Sequence, residues 1–156
     1  MSESRPVEGN FTPDGARFAI VVARWNGGIT ESLLRGAQRA LQRHQVPDAD
    51  VQVYRVPGAF ELPLAARKLA ETSRFDAIIA LGAVIRGGTP HFEYVCAETT
   101  RGIGEVALTT GIPVAFGLLT TDDEAQARAR SGDDPGNKGE EAALTALEMI
   151  SLFRQL

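Results

Sequence analysis

Short apolar runs alternate along this chain with longer segments in which apolar residues recur every three or four positions. The runs have the length of strands and are rich in β-branched residues, so they predict strands at 18–23, 51–56, 77–81 and 113–119. In the second run, either Tyr54 or Val56 supplies the third apolar position. The spaced segments predict helices at 29–41, 62–70 and 90–106, a helix opening at 121–124, and a last helix through 144–153. Strands that alternate with helices in this way favour an α/β fold with a doubly wound parallel sheet.

Two of the predicted helices have local patterns of their own. The stretch Thr121-Asp122-Asp123-Glu124 has the form of a capping box, which predicts that the helix opens there. The third helix is expected to place five apolar residues on its inner face: Phe92, Val95, Cys96, Ile103 and Val106. Cys96 is therefore more easily interpreted as a small buried residue than as a reactive thiol.

The last predicted helix is apolar on more than one face, through Leu144, Leu147, Met149, Ile150, Leu152 and Phe153. One apolar stripe is enough within a monomer, so the excess favours burial against another subunit. The alternative is that this helix packs under the N-terminal segment of its own chain.

Composition limits the classes of protein that fit. The chain has 156 residues, which predicts a single domain at 18–156 preceded by a polar N-terminal arm at 1–17. The net charge of −4 gives no basic surface for nucleic acid, and no apolar run approaches the length that spans a bilayer. One cysteine excludes an intrachain disulfide, and the arm lacks the apolar core of a signal peptide, so we expect a cytoplasmic protein.

The candidate chemistry gathers at the carboxyl ends of the predicted strands, where open parallel sheets bind ligands. The most informative stretch is Gly82–Phe92, which passes from an apolar strand through a glycine turn to His91 at the start of a helix. Backbone N–H groups in such a turn, with the helix dipole behind them, suit an anion such as phosphate. An imidazole beside that anion is suited to proton transfer. The pairing indicates an enzyme that acts on a small phosphorylated substrate. Two histidines and one cysteine, far apart in the chain, show no metal-ligand spacing, so we expect no metal.

Three further side chains near these strand ends each allow two interpretations. Trp25 could stack on a flat heterocycle or serve as a packing aromatic. Glu61 could hold substrate hydroxyls or complement the dipole of the helix it begins, and Arg130 could bind phosphate or complement a helix C-terminus. Whether Lys138 or Glu141 touches a ligand stays open.

Five separate motifs, in order, resemble those of the 6,7-dimethyl-8-ribityllumazine synthase family: Ala23–Asn26, Val56–Pro63, Gly82–Val95, Phe116–Thr121 and Gly136–Gly139. The resemblance extends from about Phe18 to Phe153. It implies a flavodoxin-like, three-layer αβα sandwich whose four-stranded parallel sheet has helices on both faces. It also implies a transferase of riboflavin biosynthesis that needs no cofactor. The family condenses 5-amino-6-(D-ribitylamino)uracil with 3,4-dihydroxy-2-butanone 4-phosphate, releasing phosphate and water.

The resemblance assigns roles to individual residues. It implies proton transfer by His91 and phosphate binding by Gly88, Thr89 and Arg130. It implies that the other substrate is held by Trp25, Ala59, Phe60, Glu61, Ala83, Val84, Ile85 and Phe116. In such assemblies Phe116 reaches the site of the neighbouring subunit. Pro90 stands where many members have threonine, and Asp133-Asp134-Pro135 is more acidic than the matching loop of many relatives.

The resemblance also concerns assembly. Family members form pentamers with sites between adjacent subunits, and in many of them twelve pentamers make a sixty-subunit capsid, with riboflavin synthase as a candidate partner. Two other hypotheses remain open from the sequence: a non-catalytic module that binds a flavin or ribityl compound, and a structural shell whose pocket is vestigial.

Overall fold

The computed structural model describes residues 3–156. Four parallel strands form one sheet in the order β2-β1-β3-β4. They are β1 (Phe18–Ala23), β2 (Val51–Val56), β3 (Ala77–Ile85) and β4 (Val114–Thr121). The helices are α1 (Gly27–Arg43), α2 (Leu62–Glu71), α3 (His91–Thr110), α4 (Glu124–Ala129) and α5 (Lys138–Phe153), with short 3-10 turns at Asp48–Asp50 and Ala59–Glu61. The predicted α/β fold and its flavodoxin-like form are confirmed.

The three layers follow from the alternation of side chains along the central strand β1. Phe18, Ile20 and Val22 point into one apolar cluster, which also contains the inner faces of α1 and α5. Ala19 and Val21 point into the other cluster, which contains those of α2 and α3. Because both faces of β1 are covered, all six of its residues are buried.

Several predicted boundaries are wrong, including the end of β4, which is predicted at 119 and lies at Thr121. The strand predicted at 77–81 continues to Ile85, and Gly82 pairs with Leu118 inside the sheet instead of beginning a turn. Its missing side chain leaves room for Leu62 and Leu118, whose Cδ1 atoms would lie 3.0 and 3.2 Å from a Cβ there. The turn therefore comes later, at 86–90.

A cap at Thr121 would start the next helix at Asp122, but α4 starts at Glu124, two residues later. Thr121 is the last residue of β4, and Asp123 caps α4 by accepting the Gln126 N–H at 2.8 Å. The Gln126 side chain in turn accepts the Asp122 N–H at 2.8 Å. The return bond goes to the residue before the cap, so α4 begins with a side-chain cap by Asp123 and the predicted capping box does not form.

Only part of the predicted inner face of α3 is buried. Phe92, Ile103 and Val106 are buried, whereas Val95 and Cys96 are only half-buried. Burial raises the pKa of the Cys96 thiol, and the nearby Glu93 carboxylate raises it further. A raised pKa disfavours the reactive thiolate, in agreement with the interpretation of Cys96 as a packing residue.

The N-terminal arm crosses the end of α5. Residues 1 and 2 of the arm predicted at 1–17 lie outside the described residues. The Asn10 N–H donates to Ser151 Oγ at 3.0 Å, and Gln155 Nε2 donates to the Glu8 carbonyl at 2.7 Å. The arm nevertheless leaves an apolar groove of about 410 Å³ between the end of α3 and α5, lined in part by Leu108, Ile112, Val114, Met149 and Phe153.

None of the helices within residues 3–156 combines the length and the apolar content that crossing a bilayer requires.

Candidate functional site

The carboxyl ends of β1 and β3, the 3-10 turn after β2 and the start of α3 enclose an open cavity of about 570 Å³. This volume is in the range of small-molecule sites. Eight residues that the sequence predicts line it: Trp25, Ala59, Phe60, Glu61, Ala83, Val84, Ile85 and His91. Three further lining residues are Asn26, Tyr94 and Val95. The parallel sheet thus brings together segments that are far apart in the chain, as its strand order requires.

Trp25 forms one wall of the cavity. Its backbone N–H donates to the Pro57 carbonyl at 3.0 Å, which fixes the end of β1 against the end of β2. The benzene part of its indole lies against the backbone of Gly58, where any Cβ would collide with the ring. The side chain is nevertheless 65% exposed. A tryptophan that served packing alone would be largely buried, so this geometry favours a stacking surface for a ligand.

The position of Glu61 is compatible with both roles that the sequence allows. Its Oε1 accepts the Gly58 N–H at 3.0 Å, and α2 begins at the next residue, so the carboxylate does complement a helix start. The same half-buried side chain lines the cavity. The bond to Gly58 holds the carboxylate in place, and an ionised carboxylate has lone pairs left for ligand hydroxyls.

Asn26 is a lining residue that the sequence analysis missed. Its backbone is left-handed, with φ of 61°, and its side-chain amide donates to the Ala83 carbonyl at 2.9 Å. The bond joins the end of β1 to β3 across the cavity floor. Asparagine tolerates this conformation better than most residues, so the sequence Asn26-Gly27-Gly28 after a strand was an available signal.

Tyr94 and Val95 were also missed, although their spacing could have shown them. They follow His91 by three and four residues, so they share its face at the start of α3. Tyr94 lines the cavity and is 75% exposed, so its aromatic ring lies at the cavity mouth beside the histidine.

The loop between β3 and α3 presents unused hydrogen-bond donors. Within residues 3–156, the backbone N–H groups of Gly87, Gly88 and Thr89 donate to no other residue, and all three residues are exposed. The Thr89 hydroxyl accepts the His91 N–H at 3.4 Å at the start of α3. The loop lies between Ile85 and His91, both of which line the cavity. Gly88 and Thr89 are not themselves among the residues that line the cavity, and free amides before a helix N-terminus are of the kind that suits an anion.

Phe116 and Arg130 do not line this cavity. Phe116 does not lie at the carboxyl end of its strand, because β4 runs on to Thr121, and Phe116 pairs with Ala80 of β3. Five residues of strand, or roughly 17 Å, separate Phe116 from the end of β4. The exposed Arg130 ends α4, and its guanidinium donates to the Gln126 carbonyl at 2.9 Å. One chain alone therefore does not bring all the predicted site residues together.

Lys138 and Glu141 form an ion pair with each other, with Nζ and Oε2 2.8 Å apart on the first turn of α5. The Lys138 N–H donates to the Arg130 carbonyl at 2.8 Å. This contact fixes the backbone of Arg130 against the start of α5.

Comparison with known protein families gives one match across nearly the whole chain. The model of the family described as 6,7-dimethyl-8-ribityllumazine synthase matches residues 15–154.

Proposed function

Because the chain belongs to the 6,7-dimethyl-8-ribityllumazine synthase family, a family of transferases in riboflavin biosynthesis, we propose that it condenses 5-amino-6-(D-ribitylamino)uracil with 3,4-dihydroxy-2-butanone 4-phosphate. The products are 6,7-dimethyl-8-ribityllumazine, phosphate and water. One observation carries the proposal of these substrates: a single cavity joins an exposed indole, a fixed carboxylate and a histidine beside three free backbone amides.

Each part of the cavity suits one part of the two substrates. The indole of Trp25 offers a flat face for the pyrimidine, and the ends of β3 offer backbone atoms to its polar edge. The ribityl hydroxyls lie along Ala59, Phe60 and Glu61, where the carboxylate accepts their hydrogen bonds. The phosphate takes the amides of Gly88 and Thr89.

The proposed reaction depends mainly on holding the two molecules together. The 5-amino group attacks the ketone, and loss of water gives a Schiff base. Loss of the proton on C3 of the former butanone then expels phosphate from C4 and leaves an enol, which tautomerises to a ketone at C3. Attack by the ribityl-bearing nitrogen on this new carbonyl closes the ring with loss of a second water. Residues 87–90, between β3 and α3, form the phosphate loop of this proposal. His91, the next residue, moves the protons of these steps. Alignment of two bound reactants supplies much of the acceleration of such a condensation.

We further propose that the complete site lies between two subunits of a pentamer. Phe116 and Arg130 lie away from the cavity of their own chain, and both are exposed. The uncovered groove beside α5 and the half-exposed Phe153 leave apolar surface for a neighbour. In a cyclic assembly, Phe116 of one subunit closes the cavity of the next and Arg130 faces its phosphate loop. A sixty-subunit capsid and association with riboflavin synthase in the cytoplasm extend this proposal, and light scattering distinguishes five subunits from sixty.

The test of the function is a rate. Purified protein is mixed with the two substrates and the absorbance of the lumazine is followed against a protein-free control, because the condensation also occurs spontaneously. We expect a rate well above the control. A folded protein that gives only the control rate would contradict the synthase and leave the binding module or the shell.

Mixed assemblies test the shared site. One type of chain carries Trp25→Ala with His91→Ala, and the other carries Arg130→Ala. If random mixing forms each site from two adjacent chains, about one quarter of the sites combine intact halves. Activity should therefore return on co-expression to about a quarter of the wild-type value. Mixed pentamers, verified by native mass spectrometry, that stay as inactive as the parent variants would place the whole site in one chain.

Gly58→Ala tests the role of Trp25. The added methyl group collides with the indole, so we expect the ring to move and KM for the pyrimidine to rise about 5- to 10-fold, roughly the value of an aromatic stacking contact. KM for the butanone phosphate should change little, because that substrate lies at the other end of the cavity. Gly28→Ala is the matched control, because a Cβ there has no atom within 4 Å. Equal KM values in the two variants would show that Trp25 does not touch the pyrimidine.

A further inference from the structure

The geometry points to Arg86 as a positioning residue of this site: its side chain joins the phosphate loop to the start of α3 and to the β4–α4 connection, and so sets His91 and the loop amides. The inference rests on the proposed function and deepens it.

Four contacts hold Arg86. Its N–H donates to the Thr121 carbonyl at 2.8 Å, which continues the pairing of β3 with β4 by one residue. Its Nε donates to Asp122 Oδ1 at 2.9 Å, and its Nη1 forms an ion pair with Glu93. The guanidinium carbon lies 4.3 Å from the centre of the Phe92 ring, which is a cation–π contact.

These contacts lie on both sides of the phosphate loop and His91. Arg86 precedes the loop, while Phe92 and Glu93 come directly after His91, so the side chain closes a ring around 87–91. Two glycines in that ring leave its backbone free to take many conformations. A fixed cross-link between its two ends limits those conformations to the ones that aim the amides and the imidazole at the cavity.

Arg86 acts through its neighbours, because it does not line the cavity itself. The hydrogen bond that Arg86 donates to Glu93 lowers the pKa of that carboxyl group, and the hydrogen bonds that Arg86 donates to Asp122 and Glu93 raise the pKa of its guanidinium. The lowered pKa favours the ionised form of Glu93, and the charge of this carboxylate is balanced by Arg86. Because these ion pairs are exposed, their loss should change stability little, and the effect should appear in the kinetics.

The experiment compares Arg86→Ala and Arg86→Lys with the control Arg101→Ala. Arg101 also bonds two carboxylates, with its Nη2 2.6 Å from Glu98 Oε1 and its Nη1 2.5 Å from Glu105 Oε2, but it lies farther along α3, outside the cavity. Size-exclusion chromatography with light scattering confirms that all variants keep the wild-type assembly. In Arg86→Ala we expect kcat/KM for the butanone phosphate to fall about 10- to 100-fold, the size of a small misplacement in a positioned site.

The KM values of the two substrates separate positioning from a general structural role. KM for the pyrimidine should stay near the wild-type value in Arg86→Ala, and Arg101→Ala should match wild type for both substrates. Arg86→Lys should recover only a small part of the loss, because an ammonium group cannot bond two carboxylates and stack on Phe92 as a planar guanidinium does. Full recovery with lysine, or an equal rise of both KM values, would overturn the inference.

A failure of the proposed function would look different. The wild-type protein would then give only the spontaneous rate, and inorganic phosphate alone becomes the probe of the loop. Calorimetric titration should show weaker phosphate binding in Arg86→Ala than in wild type. An unchanged Kd for phosphate would overturn the role of Arg86 independently of the reaction.

Discussion

Replacing Arg130 with alanine is expected to lower kcat/KM for the butanone phosphate about 10- to 150-fold, the value of a hydrogen bond to a charged group. In the proposed pentamer, a neighbouring subunit brings this guanidinium to the phosphate loop. Its backbone is well placed for this, because the Arg130 carbonyl accepts the Lys138 N–H and the Arg130 N–H donates to the Ala127 carbonyl. The loss should lie mainly in KM for the phosphate substrate, since the contact exists before the chemistry begins.

Arg128→Ala is the matched control for this prediction. Arg128 lies two residues earlier, is as exposed, and bonds Glu124 within α4, with its Nη2 2.5 Å from Glu124 Oε1. Its removal should leave both KM values within about twofold of wild type, because exposed pairs of this kind contribute little. If Arg128→Ala and Arg130→Ala weaken the phosphate substrate equally, the effect is long-range charge and Arg130 makes no direct contact.

The sequence was sufficient for the fold because hydrophobic periodicity and sheet topology agree in this chain. The central strand β1 is apolar at every position and is buried on both sides, whereas the edge strand β2 is only half-buried. The errors in the predicted boundaries come from local contacts, which the hydrophobic pattern of a sequence does not record. Gly82 resembles a turn residue, and only its neighbours Leu62 and Leu118 show that it belongs inside the sheet. Asp123, Thr121 and Asp122 all resemble caps, and the length of β4 decides between them.

The candidate site was predicted unevenly for a related reason. Trp25 lies at a strand end and follows from topology, since all parallel strands end at one edge, whereas Ile85 is implied by the family resemblance. Predicting Asn26 as a lining residue requires its backbone conformation, and predicting Tyr94 requires the exact start of α3, so both were missed. In the proposed pentamer, Phe116 and Arg130 reach the cavity from a second chain, and neither periodicity nor the fold of one subunit places them there.

Asn137 ties the loop after Arg130 to α1 and caps α5, and its replacement by alanine is expected to have the largest effect on stability. Asn137 is fully buried. Its Oδ1 caps α5 by accepting the Glu140 N–H at 3.0 Å, while its Nδ2 donates to the carbonyls of Ser32 at 3.1 Å and Gly132 at 2.9 Å. A cap of this type contributes about 1 kcal/mol, and each of the two buried bonds about 1 kcal/mol more.

The expected loss in Asn137→Ala is therefore roughly 3 kcal/mol, which lowers Tm by about 6–12 °C for a domain of this size. Asp123→Ala is the control, because Asp123 caps α4 in the same way, accepting the Gln126 N–H at 2.8 Å, but is exposed. It should lose only the cap, about 1 kcal/mol. Thermal melts of both variants at one protein concentration give the comparison, since assembly makes Tm depend on concentration. Equal Tm values would mean that the bonds to Ser32 and Gly132 add nothing.

The larger loss expected for Asn137→Ala should come with a higher KM for the phosphate substrate below the melting temperature, because the loop from Arg130 to Gly132 is then no longer tied to α1.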